Sequence, residues 1–64
     1  MENHEIRVLE ERRELNIKIE ALKSFMGTTT WDLLHVNDQN RLIKQASIML
    51  DYEAILTERI KYFD

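Results

Sequence analysis

The sequence predicts an all-α fold: an antiparallel two-helix hairpin that assembles into a homo-oligomer. Residues 38–63 contain no Gly and no Pro. In both halves of the chain, apolar residues recur at alternating three- and four-residue steps, which is the spacing of a helix seam. The second half is apolar on more than one side, so a single neighbouring helix covers only part of it. We therefore expect a hairpin that buries the remaining surface against another molecule.

Length and composition support the oligomer. The 64 residues form a single predicted domain, 1–64, and a core of this size is marginal without disulfides, a metal or self-association. The chain has no Cys, and His4 and His35 lie too far apart in sequence to be a spaced ligand pair. We expect neither a metal nor a cofactor, which leaves self-association as the supplement.

The first predicted helix spans about residues 3–26. Glu2 and Glu5 suit the positive end of the helix dipole. Gly27, the only Gly in the chain, follows the helix where a residue with positive φ ends many helices. The seam has one polar interruption and comprises Val8, Arg12, Leu15, Ile19, Leu22 and Met26.

The predicted connection, residues 27–37, is short and apolar. Thr29 or Thr30 can cap a short helical turn that runs through Leu34. We expect Trp31 and the other apolar residues here to fold back over the end of the hairpin. A connection this short makes the two helices antiparallel.

The second predicted helix spans about residues 38–62, with Asn37 or Asp38 as its N-cap. Its main predicted seam is Leu42, Gln45, Met49, Tyr52, Leu56, Arg59 and Phe63. Further apolar stripes lie beside that seam, and this helix is expected to contribute most of the interface between protomers. The predicted interface residues are Ile48, Met49, Ile55, Leu56, Ile60 and Phe63.

Basic and aromatic side chains on or beside the seams are candidates for a ligand site. Folding at the connection sets Arg12 at the level of Tyr52 to Arg59, where guanidinium groups and an aromatic ring can converge. Such a group supplies donors for an anion and a face for a base. The same cations can instead snorkel or pair with nearby glutamates, or fix the register of an oligomer. The predicted ligand-binding residues are Arg12, Lys18, Tyr52 and Arg59.

Several function classes are disfavoured. A formal net charge of −3 argues against a sequence-independent nucleic-acid binder. No apolar run approaches the roughly 20 residues that span a bilayer, and the charged N-terminus does not resemble a signal peptide. One Gly cannot build a phosphate-binding loop, and a hairpin offers no cleft for acid–base chemistry. We predict no enzyme, no catalytic residue and no membrane partner.

Two blocks of residues carry a resemblance to a known family. The first comprises Arg7, Val8, Glu11, Glu14, Leu15, Lys18, Ile19, Leu22 and Phe25, and the second is RLxxQxxxMxxYxxILxERIxxF from Arg41 to Phe63. Together they resemble the short helical-hairpin accessory proteins of tailed bacteriophages, including those of crAss-like phages. The resemblance covers nearly the whole chain and implies a small phage protein, most members of which have no established activity. It identifies no binding residue.

Context gives the functional hypothesis. Small phage accessory proteins often act against host defence, and some unrelated helical-hairpin phage proteins form symmetric oligomers that sequester cyclic nucleotide signals of bacterial immunity. By that analogy we predict a non-enzymatic protein in the cytoplasm of the infected bacterium that sequesters an anionic nucleotide between protomers. The alternatives are a protein-binding inhibitor or adaptor with a host partner, which would use the apolar faces of the second helix, and a virion assembly component.

Overall fold

The computed structural model describes residues 2–63, which form an all-helical hairpin. Helix α1 spans Asn3–Met26, α2 spans Thr29–Leu33 and α3 spans Val36–Lys61, and the described residues contain no β-strand. The long helices α1 and α3 run antiparallel in a rod with extents of 47 × 15 × 13 Å. The all-α prediction is confirmed, whereas self-association stays a prediction.

Helix α1 begins and packs as its sequence dictates. The backbone N–H of Glu2 donates a hydrogen bond of 2.9 Å to Oε1 of Glu5, which satisfies one of the free donors at the helix start. The predicted seam is the face that turns inward, with Val8, Leu15 and Ile19 buried. Every seam position except Arg12 carries an apolar residue.

The turn after α1 differs from the prediction at Gly27. Its φ is −93° and its ψ is 8°, so the expected positive φ is wrong. The chain leaves the helix through two tight backbone hydrogen bonds, from Gly27 N–H to the Ser24 carbonyl (3.1 Å) and from Thr28 N–H to the Phe25 carbonyl (3.0 Å). A Cβ at position 27 would lie 3.6 Å from the Ser24 carbonyl oxygen, an ordinary contact. This conformation therefore does not require Gly.

The short helix α2 is capped one residue earlier than predicted. The hydroxyl of Thr28, and not that of Thr29 or Thr30, accepts the Trp31 N–H at 3.2 Å. The same hydroxyl donates to the Phe25 carbonyl at 2.6 Å, so it joins the end of α1 to the start of α2. The short helical turn predicted for the connection is thus present.

Only part of the connection folds back over the hairpin. The Trp31 ring packs edge-on against Phe25, with ring centroids 6.1 Å apart, and Gln39 of α3 donates a 2.8 Å bond to the Trp31 carbonyl. Leu33 is 87% exposed and Val36 is also exposed, so the prediction is wrong for these two residues. The α2 turn is too short to aim all its apolar side chains at one core.

Helix α3 begins at Val36, because His35 and not Asn37 or Asp38 is the N-cap. Nδ1 of His35 accepts the Asn37 N–H at 3.0 Å. Imidazole is not a common capping group, whereas Asn and Asp are, so the sequence favoured the later start. Asp38 instead pairs with Arg41 at 2.8 Å within the first turns of the helix.

The face of α3 that packs on α1 is rotated relative to the predicted seam. Gln45, Tyr52 and Arg59 are exposed, and their predicted inward positions are wrong. The structure instead buries or half-buries an inner face made of Leu42, Ala46, Met49, Glu53, Leu56, Ile60 and Phe63. The core consists of Val8, Leu15, Ile19 and Leu56, and Met49, Ile60 and Phe63 pack against it. Glu53 and Thr57 hydrogen-bond at the edge of this face, so a carboxylate there is satisfied.

Candidate binding surface on α3

The rotation leaves a second seam of α3 in solvent. Its positions also alternate in steps of three and four residues, so they form one continuous line along the helix. Ile48 is 58% exposed, Ile55 is 56% exposed and Tyr62 is 72% exposed, which is unusual for large apolar side chains arranged in a row. We call this line the outer stripe, and it comprises Gln45, Ile48, Tyr52, Ile55, Arg59 and Tyr62.

The outer stripe ends in an open groove at the free end of the hairpin. The groove has a volume of about 580 Å³ and is lined by His4, Ile55, Glu58, Arg59, Tyr62 and Phe63. His4 of α1 packs edge-on against Phe63, with ring centroids 6.4 Å apart, and so closes one side. The groove therefore combines aromatic walls with one cation and one carboxylate. Such a groove suits a ligand that has both a flat apolar part and a charge.

Arg12 lies on the other flank of the hairpin. Its Nη1 donates to the Thr57 hydroxyl at 3.5 Å, and that hydroxyl donates to Oε1 of Glu53 at 2.8 Å. Thr57 and Arg59 are two residues apart in α3, which turns them roughly 160° from each other around the helix. Within one chain, Arg12 is therefore turned away from Arg59. The sequence expectation that these two guanidinium groups converge does not hold inside a single hairpin.

Lys18, Tyr52 and Arg59 share the flank of the outer stripe. The contacts Arg12–Thr57 and His4–Phe63 fix the antiparallel register and set Lys18 at the level of about residue 50 of α3. Lys18 projects from the side of α1 opposite to Arg12, which is the side next to Tyr52. Tyr52 and Arg59 are on the same line but two turns apart, about 10 Å along the helix axis.

The ion pairs of the hairpin involve other residues. In the part of the chain that the structure describes, Lys23 pairs with Glu20 at 3.6 Å and Arg41 with Asp38 at 2.8 Å, both on exposed helix surface. Neither pair involves a predicted ligand residue. The alternative prediction, that Arg12 and Arg59 pair with Glu11, Glu14 or Glu58, is thus not seen among the residues described.

The predicted interface residues divide into two groups. Met49, Leu56, Ile60 and Phe63 pack within the hairpin, and Leu56 has no exposed surface, so in this conformation it cannot touch a partner. Ile48 and Ile55 are on the outer stripe and remain exposed. The intramolecular core therefore uses most of the apolar residues that the sequence had assigned to the interface.

Three groove residues, His4, Glu58 and Tyr62, were not predicted as site residues from the sequence. Tyr62 lies in line with Ile48 and Ile55, a regular spacing that was visible in the sequence and that carries it to the end of the outer stripe. His4 gave no signal, because its position depends on the packing of α1 against Phe63. No group of three or more His, Asp or Glu among residues 2–63 is arranged to hold a metal ion.

These features define a class: a small all-helical hairpin whose longest helix presents an apolar stripe with basic and aromatic side chains. An open groove lies at one end of this stripe. No helix within residues 2–63 is long and apolar enough to cross a membrane.

The chain belongs to the Sequestin family, whose family model matches residues 2–62. The match covers both long helices and the connection between them. Comparison with curated proteins and with solved structures gives no significant match. This membership fits a small phage-type sequestering accessory protein, and the resemblance to crAss-like phage proteins stays a prediction.

Proposed function

We propose that this protein is a non-enzymatic phage accessory protein that counteracts host immunity by sequestering a small anionic nucleotide signal between protomers. It would act in the cytoplasm of the infected bacterium and would hold its ligand reversibly. The family name supports sequestration as the activity. The nucleotide, the phage context and the symmetric assembly are our proposals.

The single observation that carries this proposal is the flank shared by Lys18, Tyr52 and Arg59. A guanidinium and an ammonium supply donors for phosphate, and an aromatic ring supplies a surface on which a base can stack. The chain has a formal net charge of −3, so an anion has little attraction to the molecule as a whole. Binding would depend on these local cations, which makes the site testable by single substitutions.

Native mass spectrometry of protein isolated gently from phage-infected cells tests the proposal. We expect a multiple of the 7.7 kDa chain carrying an added mass of a few hundred daltons that fragments as a nucleotide. Arg59→Ala should lose this mass. Arg13→Ala is the matched control, because Arg13 is exposed on the outer side of α1 and should keep it.

The outcome that contradicts this site is equally specific. If Arg59→Ala and Arg12→Ala both keep full ligand affinity while the oligomer persists, neither cation contributes to binding. If Arg12→Ala alone reduces affinity, the ligand lies on the opposite flank, beside Thr57 and Glu53.

A second candidate is a protein-binding inhibitor or adaptor, which the exposure of Ile48 and Ile55 favours. A helix with an apolar line can lie in a groove of a host protein. This alternative expects a stoichiometric protein partner and no added nucleotide mass. Ile48→Asp and Ile55→Asp should then abolish the complex without unfolding the hairpin. A virion assembly role instead expects the protein in purified particles.

A further inference from the structure

The outer stripe has the same spacing in both directions. From Gln45 to Tyr62 its steps are three, four, three, four and three residues, symmetric about a point between Glu53 and Ala54. We propose that a second copy of this chain covers the stripe by antiparallel α3–α3 pairing centred at that point. This pairing would bring Arg59 of each copy to Lys18 and Tyr52 of the other.

The inference deepens the proposed function and rests on it for the role of the site. In an antiparallel pair with this centre, each residue of one copy faces a different stripe residue of the other copy. The opposed pairs are Tyr52 with Ile55, Ile48 with Arg59, and Gln45 with Tyr62. Every large apolar residue of the stripe then meets another stripe residue, and the two Arg59 guanidinium groups lie apart, each opposite an Ile48. A two-fold axis requires this kind of self-complementary surface.

The size of the stripe suits a second copy. It extends over 17 residue steps of α3, about 26 Å, which is more than half of the 47 Å hairpin. A standard interface covers about 800 Å² on each partner, roughly a sixth of the 5105 Å² surface of this chain. In the proposed pair, the stripe and the flanking side chains of α1 would supply this area. Covering them also enlarges the small core of four buried apolar residues.

Charge favours the same register. Side chains on a helix tilt toward its N-terminus. Arg59 of one copy therefore leans away from Ile48 of the second copy and toward the level of that copy's Asp51 and Tyr52. The Asp51 carboxylate is exposed beside the stripe and can accept a hydrogen bond from the guanidinium. Arg has five N–H donors, so the same group can still bind a phosphate.

The pairing explains how separated residues can form one site. Inside a single hairpin, Tyr52 and Arg59 are about 10 Å apart along the helix. In the pair, Arg59 of one copy reaches the level of Lys18 and Tyr52 of the other. Two equivalent sites then lie along the interface, each with two cations and one aromatic ring from two chains.

Disulfide cross-linking tests the register directly, because the natural chain has no Cys. Tyr52→Cys and Ile55→Cys chains are mixed under reducing conditions, purified from nucleotide and then oxidised. The mixed dimer should form at least about fivefold more than either self-linked dimer, because only opposed Cβ atoms lie within disulfide reach. The two variants differ in mass, so mass spectrometry separates the three products.

A matched pair of positions provides the control. The control is a mixture of Leu50→Cys and Thr57→Cys chains. These two positions are symmetric about the same point between Glu53 and Ala54 but lie on the opposite flank of α3, so this mixture should cross-link poorly. The pairing is overturned if Ile55→Cys links to itself as readily as to Tyr52→Cys, which indicates a parallel arrangement. It is also overturned if the control pair cross-links better than the stripe, or if no mixture forms a dimer.

A charge exchange gives a second, independent readout. Asp51→Arg and Arg59→Asp should each raise the dimer dissociation constant about tenfold or more by placing like charges together. The double variant should return to near the natural value. Both residues are exposed, so the hairpin keeps its fold. Failure of the double variant to recover contradicts the proposed register.

These experiments separate the pairing from the ligand. A monomeric chain that still carries a nucleotide mass overturns the pairing and leaves sequestration standing. A chain that cross-links as predicted but never carries a nucleotide supports the pairing and overturns the proposed ligand. Analytical ultracentrifugation of the nucleotide-free chain gives the dissociation constant for both comparisons.

Discussion

The inner face and the outer stripe of α3 have the same spacing but opposite surroundings. On the inner face, Leu56 is completely buried and Met49 is partly buried against α1. On the outer stripe, Ile48 and Ile55 keep more than half of their surface in solvent. One helix can cover only one side of another, and α1 is the only long helix available within the described chain. The difference indicates that the inner face determines the hairpin and that the outer stripe is available for binding.

The largest effect expected from this comparison is on stability. Leu56→Ala should lower the free energy of unfolding by about 2–5 kcal/mol, because it removes a fully buried side chain and leaves a cavity. Urea denaturation followed by circular dichroism measures this loss. Leu50→Ala is the matched control, since Leu50 is 45% exposed on the same helix. Equal losses in the two variants would show that the inner face is not the core.

The next effect is on association. Ile55→Asp should leave the helical content of the hairpin unchanged, because Ile55 is exposed in the single chain. It should weaken self-association by at least about 1.5–3 kcal/mol per chain, the value of burying one such side chain. Sedimentation equilibrium measures the dissociation constant. Glu10→Asp on the exposed part of α1 is the control, and unchanged association in Ile55→Asp would remove the outer stripe from any interface.

The two long helices also differ in how well their sequence predicted them. In α1 the main predicted seam contains Val8, Leu15 and Ile19, and that face is buried. In α3 the predicted seam and the observed inner face both contain Leu56 and Phe63. One position where they differ lies a turn before Leu56, where Tyr52 is a more typical core residue than Glu53. The structure turns Glu53 toward α1, and its carboxylate accepts a hydrogen bond from the Thr57 hydroxyl within the same helix. A count of apolar residues does not place a half-buried glutamate on a core face, so the predicted seam was wrong by one residue at positions 45, 52 and 59.

The candidate site shows the same limit. Lys18, Tyr52 and Arg59 were predicted from the sequence and lie on one flank, whereas Arg12 lies on the other, where it contacts Thr57. The groove residue His4 could not be predicted, since only tertiary packing brings it to Phe63. Periodicity indicates which residues share a helix face. It does not indicate how that face is rotated against its neighbour.

A smaller effect is expected at the connection, which lies away from both faces of α3. Thr28→Ala removes the hydroxyl that accepts the Trp31 N–H and donates to the Phe25 carbonyl. Loss of an N-cap costs about 1 kcal/mol, so the melting temperature should fall by several degrees. Thr29→Ala and Thr30→Ala are matched controls because neither side chain is the cap of α2. Association through the outer stripe should be unaffected in all three variants.

The smallest effect is expected on the flank opposite the outer stripe. Arg12→Met keeps the apolar stem that covers the seam and removes only an exposed 3.5 Å hydrogen bond to Thr57, so stability should change by no more than about 0.5 kcal/mol. Lys18→Met, the same kind of change on the stripe side, should also be nearly neutral for stability but should reduce the amount of bound anion. The pair of variants is compared by urea denaturation and by native mass spectrometry. Since both remove one positive charge, the net charge of the protein is identical in the two, and any difference in anion binding reports position alone. A larger loss of bound mass in Arg12→Met than in Lys18→Met would move the binding site to the flank of Thr57 and Glu53.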